Sequence, residues 1–434
     1  MIEIVWVALG LGLLALMLPA KPVLRAVASL AILLAVLAVF QTTGGRGTVT
    51  VSASYVIVAC VGLVGLVAFW RKSSPWLFVP LAAYLAFGMA FIWDGGAGQS
   101  GGTMNIVYIM LAWAAGAFMG SSFRDRAELD RSFTVLLVLI VVFQVLVTAL
   151  QTLGVPIFEL TGRSLDLEGG RANGTFTHPS TIGKVLTLVM MLLMPMTRAA
   201  DATTRKLALF GLLLSIVPIA LSASRANFVS ALAMILVWSL LQPRDTKFFS
   251  RRFLLPALVG VVSLFFVDSI LERFNKDPVG GEREHFMEVA LVQFADTPWF
   301  GVGPANYVRV VGMRDALTAE GWPVHNAFML QIVELGIIGA LLFFLPLLYM
   351  FVRSVLAMRL VSRQGDYARA VVAYLPAFVL ISWTGWGMLA PGMAALLFFC
   401  LAFSMQQVTS KATPVVSVSE VALVPVRGRS SLRS

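Results

Sequence analysis

Cysteine, histidine and charge are all scarce in this chain. Its two cysteines, Cys60 and Cys400, lie far apart in apolar runs, which excludes a disulfide framework and a thiolate metal centre. Three histidines are too few and too scattered for a zinc site, so no metal is expected. No P-loop occurs, and no GxSxG or dinucleotide-binding string sits in the strand–turn–helix setting those motifs need, which removes support for an ATP-driven pump or a serine hydrolase. No cofactor is expected. Charged residues make up 12% of the 434 positions, about half the share that soluble domains carry. A chain so poor in charge cannot build the solvated faces of a soluble enzyme or a nucleic-acid module.

Apolar residues are abundant instead, at 59% with a mean hydropathy of +0.88. They gather into thirteen runs, roughly 3–19, 22–41, 51–70, 75–93, 105–120, 132–154, 178–197, 207–222, 226–241, 253–268, 326–352, 370–385 and 387–405. Most approach the 20 or so residues a helix needs to cross a bilayer. Backbone groups in lipid must be satisfied within the segment, and no ten-residue alternation suggests a barrel. The expected fold is therefore all-α: a polytopic membrane protein of about 12–13 spans, forming one transmembrane domain over residues 1–405. A long extracytoplasmic loop, 268–325, separates spans 10 and 11, and a disordered cytoplasmic tail occupies 406–434. Met1 to Pro19 lacks a basic leader and reads as a retained first span.

The net charge of +10 could suggest a polyanion partner, but Lys and Arg in a membrane chain first fix its orientation. Twenty-two of them fall in the connections after odd-numbered spans and in the tail, against nine in the opposite set, with Lys184 inside span 7. This bias predicts the N-terminus outside and the tail inside, in a bacterial cytoplasmic membrane. It also accounts for most of the positive charge, so no nucleic-acid partner is implied.

Polar groups that persist on the sparsely charged side are candidates for function, because a membrane makes them costly. Leu160–Lys184 has glycines that interrupt any helix and brings Arg171, His178 and Lys184 to the start of span 7. Ser222–Asn227 is so short a turn that Arg225 must sit at the outer interface. Arg225 could be a snorkelling arginine, but the small neighbours Ser222, Ala223, Ser224 and Ala226 leave room for a ligand, and a guanidinium suits phosphate. The third segment, Asp268–His325, holds nine acids, five basic residues and two histidines. There Arg283 could pair with Glu282 or Glu284 as an ordinary surface ion pair, as Arg171 could with Glu168, or either could bind ligand. His178 and His285 read as polar loop residues before catalysts. His325, just before span 11, could act as a general base or acid, or with Asn326 could cap the helix. Glu334, nine residues on in an otherwise apolar run, is expected to point inward, towards an arginine.

These residues resemble the O-antigen ligase and O-antigen polymerase superfamily. PWFGVGPANY, Pro298–Tyr307, looks like the family's glycine-valine-glycine loop. HNAFMLQIVELGIIG, His325–Gly339, looks like its histidine-asparagine helix with a later glutamate and paired glycines. SRAN around Arg225, GERE around Arg283 and RANGTFTHPSTIG from Arg171 extend the match, whereas the first 150 residues match only in hydropathy. The resemblance implies a GT-C-like membrane glycosyltransferase taking glycan from an undecaprenyl diphosphate carrier. Catalytic roles would fall to His325, Arg225 and Glu334, and binding of diphosphate or glycan to Arg171, Arg225, Arg283, His178 and Asn326. The expected partners are the carrier-linked glycan, an acceptor glycan or lipid, the bilayer and, for a polymerase, a chain-length regulator. A ligase would transfer finished chains instead; the acid-rich outer loop tilts the reading to polymerase. A secondary transporter or glycolipid flippase is the competing class, and it predicts polar residues at mid-membrane in several spans.

Overall fold

The computed structural model describes residues 22–38, 53–68, 74–124, 126–155, 157, 171–243, 254–264 and 282–409. The expected first span, the tail beyond Thr409 and Glu168 lie outside them. Among the described residues the fold is all-α, and each of the other twelve expected spans contains a helix. In chain order these are α1 Pro22–Ala38, α2 Ala53–Ala68, α3 Val79–Phe91, α4 Ala97–Phe123, α5 Asp130–Thr152, α6 Pro179–Leu193, α7 Ala202–Leu221, α8 Arg225–Leu240 and α9 Leu254–Leu264. The loop region carries α10 Arg283–Asp296, α11 Tyr307–Val311 and α12 Ala316–Ala319, before α13 Ala327–Ala357, α14 Arg363–Thr384 and α15 Pro391–Val408. Among the described residues, seven helices are long and apolar enough to cross a membrane unaided. Among the rest, α8 is cut to 16 residues because the Ser222–Ser224 turn fixes its start.

Apolar burial does not drive helices together in lipid, so close contact of small residues must. Gly116 and Gly120 of α4, spaced four apart, face α15; a Cβ on either would collide with the Phe399 or Phe403 backbone. Gly62 and Gly65 of α2 meet Leu111 and Ala114 of α4 in the same way. Helices α6 and α15, the most enclosed, form the centre of the bundle. The tail boundary expected at residue 406 is corrected here. α15 continues to Val408 with Gln406 and Gln407 buried, because Gln407 donates to the Gly120 carbonyl of α4 at 2.8 Å.

The two sets of connections occupy opposite ends. At one end, Arg363 meets Asp130 at 2.7 Å, Arg198 meets Asp366 at 3.1 Å, and Arg124 donates to the Thr409 carbonyl at 3.1 Å. Arg369, 2% exposed, binds Asp366 and the Met358 and Leu360 carbonyls. Groups from the arginine-rich set thus join α14 to α5, to the turn after α6 and to the end of α13, and join α4 to α15. The starts of α6, α8 and α13 lie at the other end, which bears α10 to α12.

Candidate functional site

The loop-bearing end is built in two halves. In the first, a backbone segment carrying Arg171 is clamped by two glutamines of α5. Gln144 bonds Thr175 through both its amide nitrogen (2.8 Å) and its oxygen (3.3 Å). Gln151 accepts from the N–H groups of Asn173 (3.1 Å) and Gly174 (2.8 Å) and donates to the Gly174 carbonyl (2.9 Å). Gly174 has φ +62, a left-handed conformation that glycine takes readily. Residues 144 and 151 are two turns apart on one face of α5, a sequence signal that was available and not used. Arg171 then donates its Nε to the Ser222 carbonyl at 3.0 Å. Arg225 starts α8 after Ala223, which takes φ +48. Arg171 is thus brought to the turn that carries Arg225.

His178 caps α6: its Nδ1 accepts the Ser180 N–H at 3.1 Å and lies 2.8 Å from Ser180 Oγ. Asn227, 1% exposed, donates to the Ser180 carbonyl at 2.7 Å, and its side chain fills the space a Cβ on Gly183 would need. The SRAN turn is in this way locked to the start of α6.

His325 and Arg283 form the second half. The His325 ring lies 5.4 Å from Phe286, which shares a face of α10 with Arg283. Burial, then the Arg283 charge, holds the imidazole below its usual range, so it is neutral near neutral pH. Its Nδ1 is buried and without a hydrogen-bond partner among the described residues. His285 takes no part in this pair; its Nε2 meets Asp315 at 2.7 Å and tethers α10 to α12. Hydrogen bonds from Thr318, with His285 beside it, hold the Asp315 carboxyl below the ordinary range. Asn326 caps α13, its Oδ1 accepting from Phe328 and Met329 at 3.0 Å each.

Glu334 departs from expectation. Hydropathy predicts an unbroken span 11 with Glu334 turned inward, but α13 breaks at Gly336 (φ 67, ψ 177). A side chain on that glycine would collide with the Trp299 carbonyl. The break frees carbonyls, and the glycine-valine-glycine loop uses them: Val302 N–H donates to Val333 O (3.0 Å) and Gly303 N–H to Glu334 O (2.8 Å), while Ile337 N–H donates to Pro298 O (2.8 Å). The Glu334 carboxylate accepts from the N–H groups of Ala305 (3.0 Å) and Tyr307 (3.4 Å), at the head of α11. Backbone donors have replaced the arginine.

Three residues from the first hundred, missed in the sequence, hold the same loop. Tyr84 donates to the Leu335 carbonyl and lies 3.2 Å from that of Phe300, which also accepts from Trp93 Nε1 at 3.2 Å. Gln99 donates to the Val302 carbonyl at 3.1 Å.

Both halves share one end of the bundle. Phe328, in the first turn of α13, packs on Phe378 of α14 at 5.7 Å, and α14 runs on to the turn at Gly387, where Lys184 of α6 rests.

Residues 210–344 match the family described as O-antigen ligase. This supports the O-antigen ligase and polymerase superfamily to which the motifs pointed. The match contains Arg225, Arg283, His325, Asn326 and Glu334, and starts after Arg171, His178 and Lys184. No curated protein matches the chain.

Proposed function

We propose that this O-antigen ligase-type protein transfers glycan from an undecaprenyl diphosphate carrier to an acceptor hydroxyl, joining carrier-linked repeat units into a surface polysaccharide. The arginine-rich end is taken as cytoplasmic, following the charge bias, which puts the reaction at the outer face. One observation carries the reading: a neutral imidazole with a buried, unpartnered Nδ1 lies beside Arg283, at the end where Arg171 and Arg225 meet. His325 accepts the acceptor hydroxyl proton as its oxygen attacks the anomeric carbon. The bond from that carbon to the diphosphate breaks, and the diphosphate leaves with the electron pair. Arg171 and Arg225 offset the charge that develops on it, and Arg283 keeps His325 unprotonated. Asn326 and Glu334 position α13 and the loop, and His178 shapes the start of α6.

Broken helices are also a transporter feature. Here, however, the groups freed at Gly336 are taken up by the glycine-valine-glycine loop rather than left facing a cavity, which favours the enzyme. The test is reconstitution in vesicles with carrier-linked repeat units, scored by gel. Wild type makes a ladder, and H325A and R225A do not; either variant turning over at the wild-type rate would refute the reading. The description of the matched family favours a second outcome, transfer of a finished chain to a lipid acceptor. In that case a single shifted lipid product replaces the ladder.

A further inference from the structure

Lys184 lies within span 7 by the sequence, and the mechanism above does not use it. It lies on α6 about 8 Å below the start of the helix, by the rise per residue, and is 7% exposed. An ammonium has three donors. Among the described residues Lys184 makes one hydrogen bond, at 3.3 Å to Ser180 Oγ, and it belongs to none of the salt bridges. Its Nζ occupies the space where a side chain on Gly387 would begin, in the turn joining α14 to α15.

A neutral hydroxyl does not repay removal of a cation from water, and a lysine kept inside a span needs an opposite charge. Its surroundings say where that charge enters. Ser180 is common to Lys184, to His178 through its Oγ, and to Asn227 through its carbonyl, and Asn227 is two residues from Arg225. Lys184 is therefore linked through Ser180 and Asn227 to the turn that carries Arg225. A sugar acid would be held above that turn by its hydration. A phosphoryl group on a lipid tail reaches the required depth because the tail stays in the membrane.

We propose that Lys184 is the deep counter-charge for a phosphoryl group of the lipid carrier, with Ser180 orienting its ammonium and Gly387 giving it room. The proposal rests on the glycosyltransferase reading and extends its diphosphate site by one residue.

The test uses the full chain in phosphatidylcholine nanodiscs with farnesyl diphosphate as probe, measuring probe affinity and the thermal midpoint without probe. One charge-assisted contact is lost in K184M, so affinity is expected to fall about 10- to 100-fold. The probe-free midpoint stays the same or rises, because a buried charge with no acidic partner among the described residues has been removed. K184R restores most of the affinity. Wild-type affinity in K184M overturns the proposal, and so does failure of K184M to fold, since a purely structural lysine predicts that. If phosphatidylglycerol added to the discs displaces the probe from wild type but not from K184M, the group belongs to a bilayer headgroup and the carrier assignment falls. R171A and R225A make the two readings separable. If they bind the probe like wild type, the glycosyltransferase reading fails; if they lose it while K184M keeps it, only the Lys184 proposal does.

Discussion

Glu334→Gln separates a carboxylate that holds a loop from one that reacts. In the structure its two oxygens accept the N–H groups of Ala305 at 3.0 Å and Tyr307 at 3.4 Å. Glutamine keeps one acceptor oxygen and turns an amide NH2 towards the other donor, so one charge-assisted hydrogen bond is lost. Such bonds contribute about 1.5–3 kcal/mol when both partners are dry. Ala305 is exposed and its N–H can return to water, while the Tyr307 contact is long. The expected loss is therefore near the bottom of that range, about 1–2 kcal/mol. Where amide exchange follows local opening, this speeds exchange at residues 301–311 about 5- to 30-fold. Hydrogen exchange read by mass spectrometry on a peptide covering that loop gives the number, and glycan transfer is measured on the same sample. A positioning role predicts faster exchange with slowed but measurable transfer. Abolished transfer with unchanged exchange would refute it and return Glu334 to the chemistry.

Arg283→Gln removes one of the two influences that keep His325 below its usual range, and burial remains. Protonation of the base then begins at higher pH, so the acid limb of the pH–rate profile moves upward; an unmoved limb means the Arg283 charge does not reach the imidazole. Gly336→Ala forces a side chain into φ +67 and against the Trp299 carbonyl, for a loss of about 1–3 kcal/mol from the backbone alone; the readout is a lower thermal midpoint of the purified protein, and an unchanged one refutes the break. Asp366→Asn leaves Arg369, 2% exposed, without its carboxylate. Removing one member of a buried pair costs about 3–5 kcal/mol, reduced here because the Met358 and Leu360 carbonyls still accept from Arg369, and thermal unfolding again measures it.

The spans were legible because lipid demands them: hydropathy alone located twelve described helices, and their alternation sorts the described connections into two ends. The break in α13 was hidden because a hydropathy window passes over one glycine. Its signal was local all the same, an acid two residues before a glycine in an otherwise apolar run. Gln144 and Gln151 were equally visible as two amides on one face of an apolar helix. Tyr84, Trp93 and Gln99 were not legible, since each acts on a partner more than 200 positions away. The pairing of Arg283 with His325 was open to motif reading; capping by Asn326 stood as an alternative to function, and capping by His178 was not foreseen.

Neutral and charged groups divide the work at the loop-bearing end, and the membrane explains the division. The backbone there is held by amides and a phenol, from Gln99, Gln144, Gln151, Asn227 and Tyr84, which can be enclosed once their hydrogen bonds are made. Arg171, Arg225 and Arg283 stand at loop starts and helix ends, where water still reaches them, and the bonds made by those amides and the phenol do not depend on their charge. Were the arginines the scaffold, an incoming diphosphate would compete with the fold for the same guanidinium groups and loosen the site as it bound. With most of that geometry fixed by neutral groups, and by the Glu334 carboxylate on its own loop, an anion of the kind proposed would meet cations already in place, and its binding would add order to the site instead of removing it.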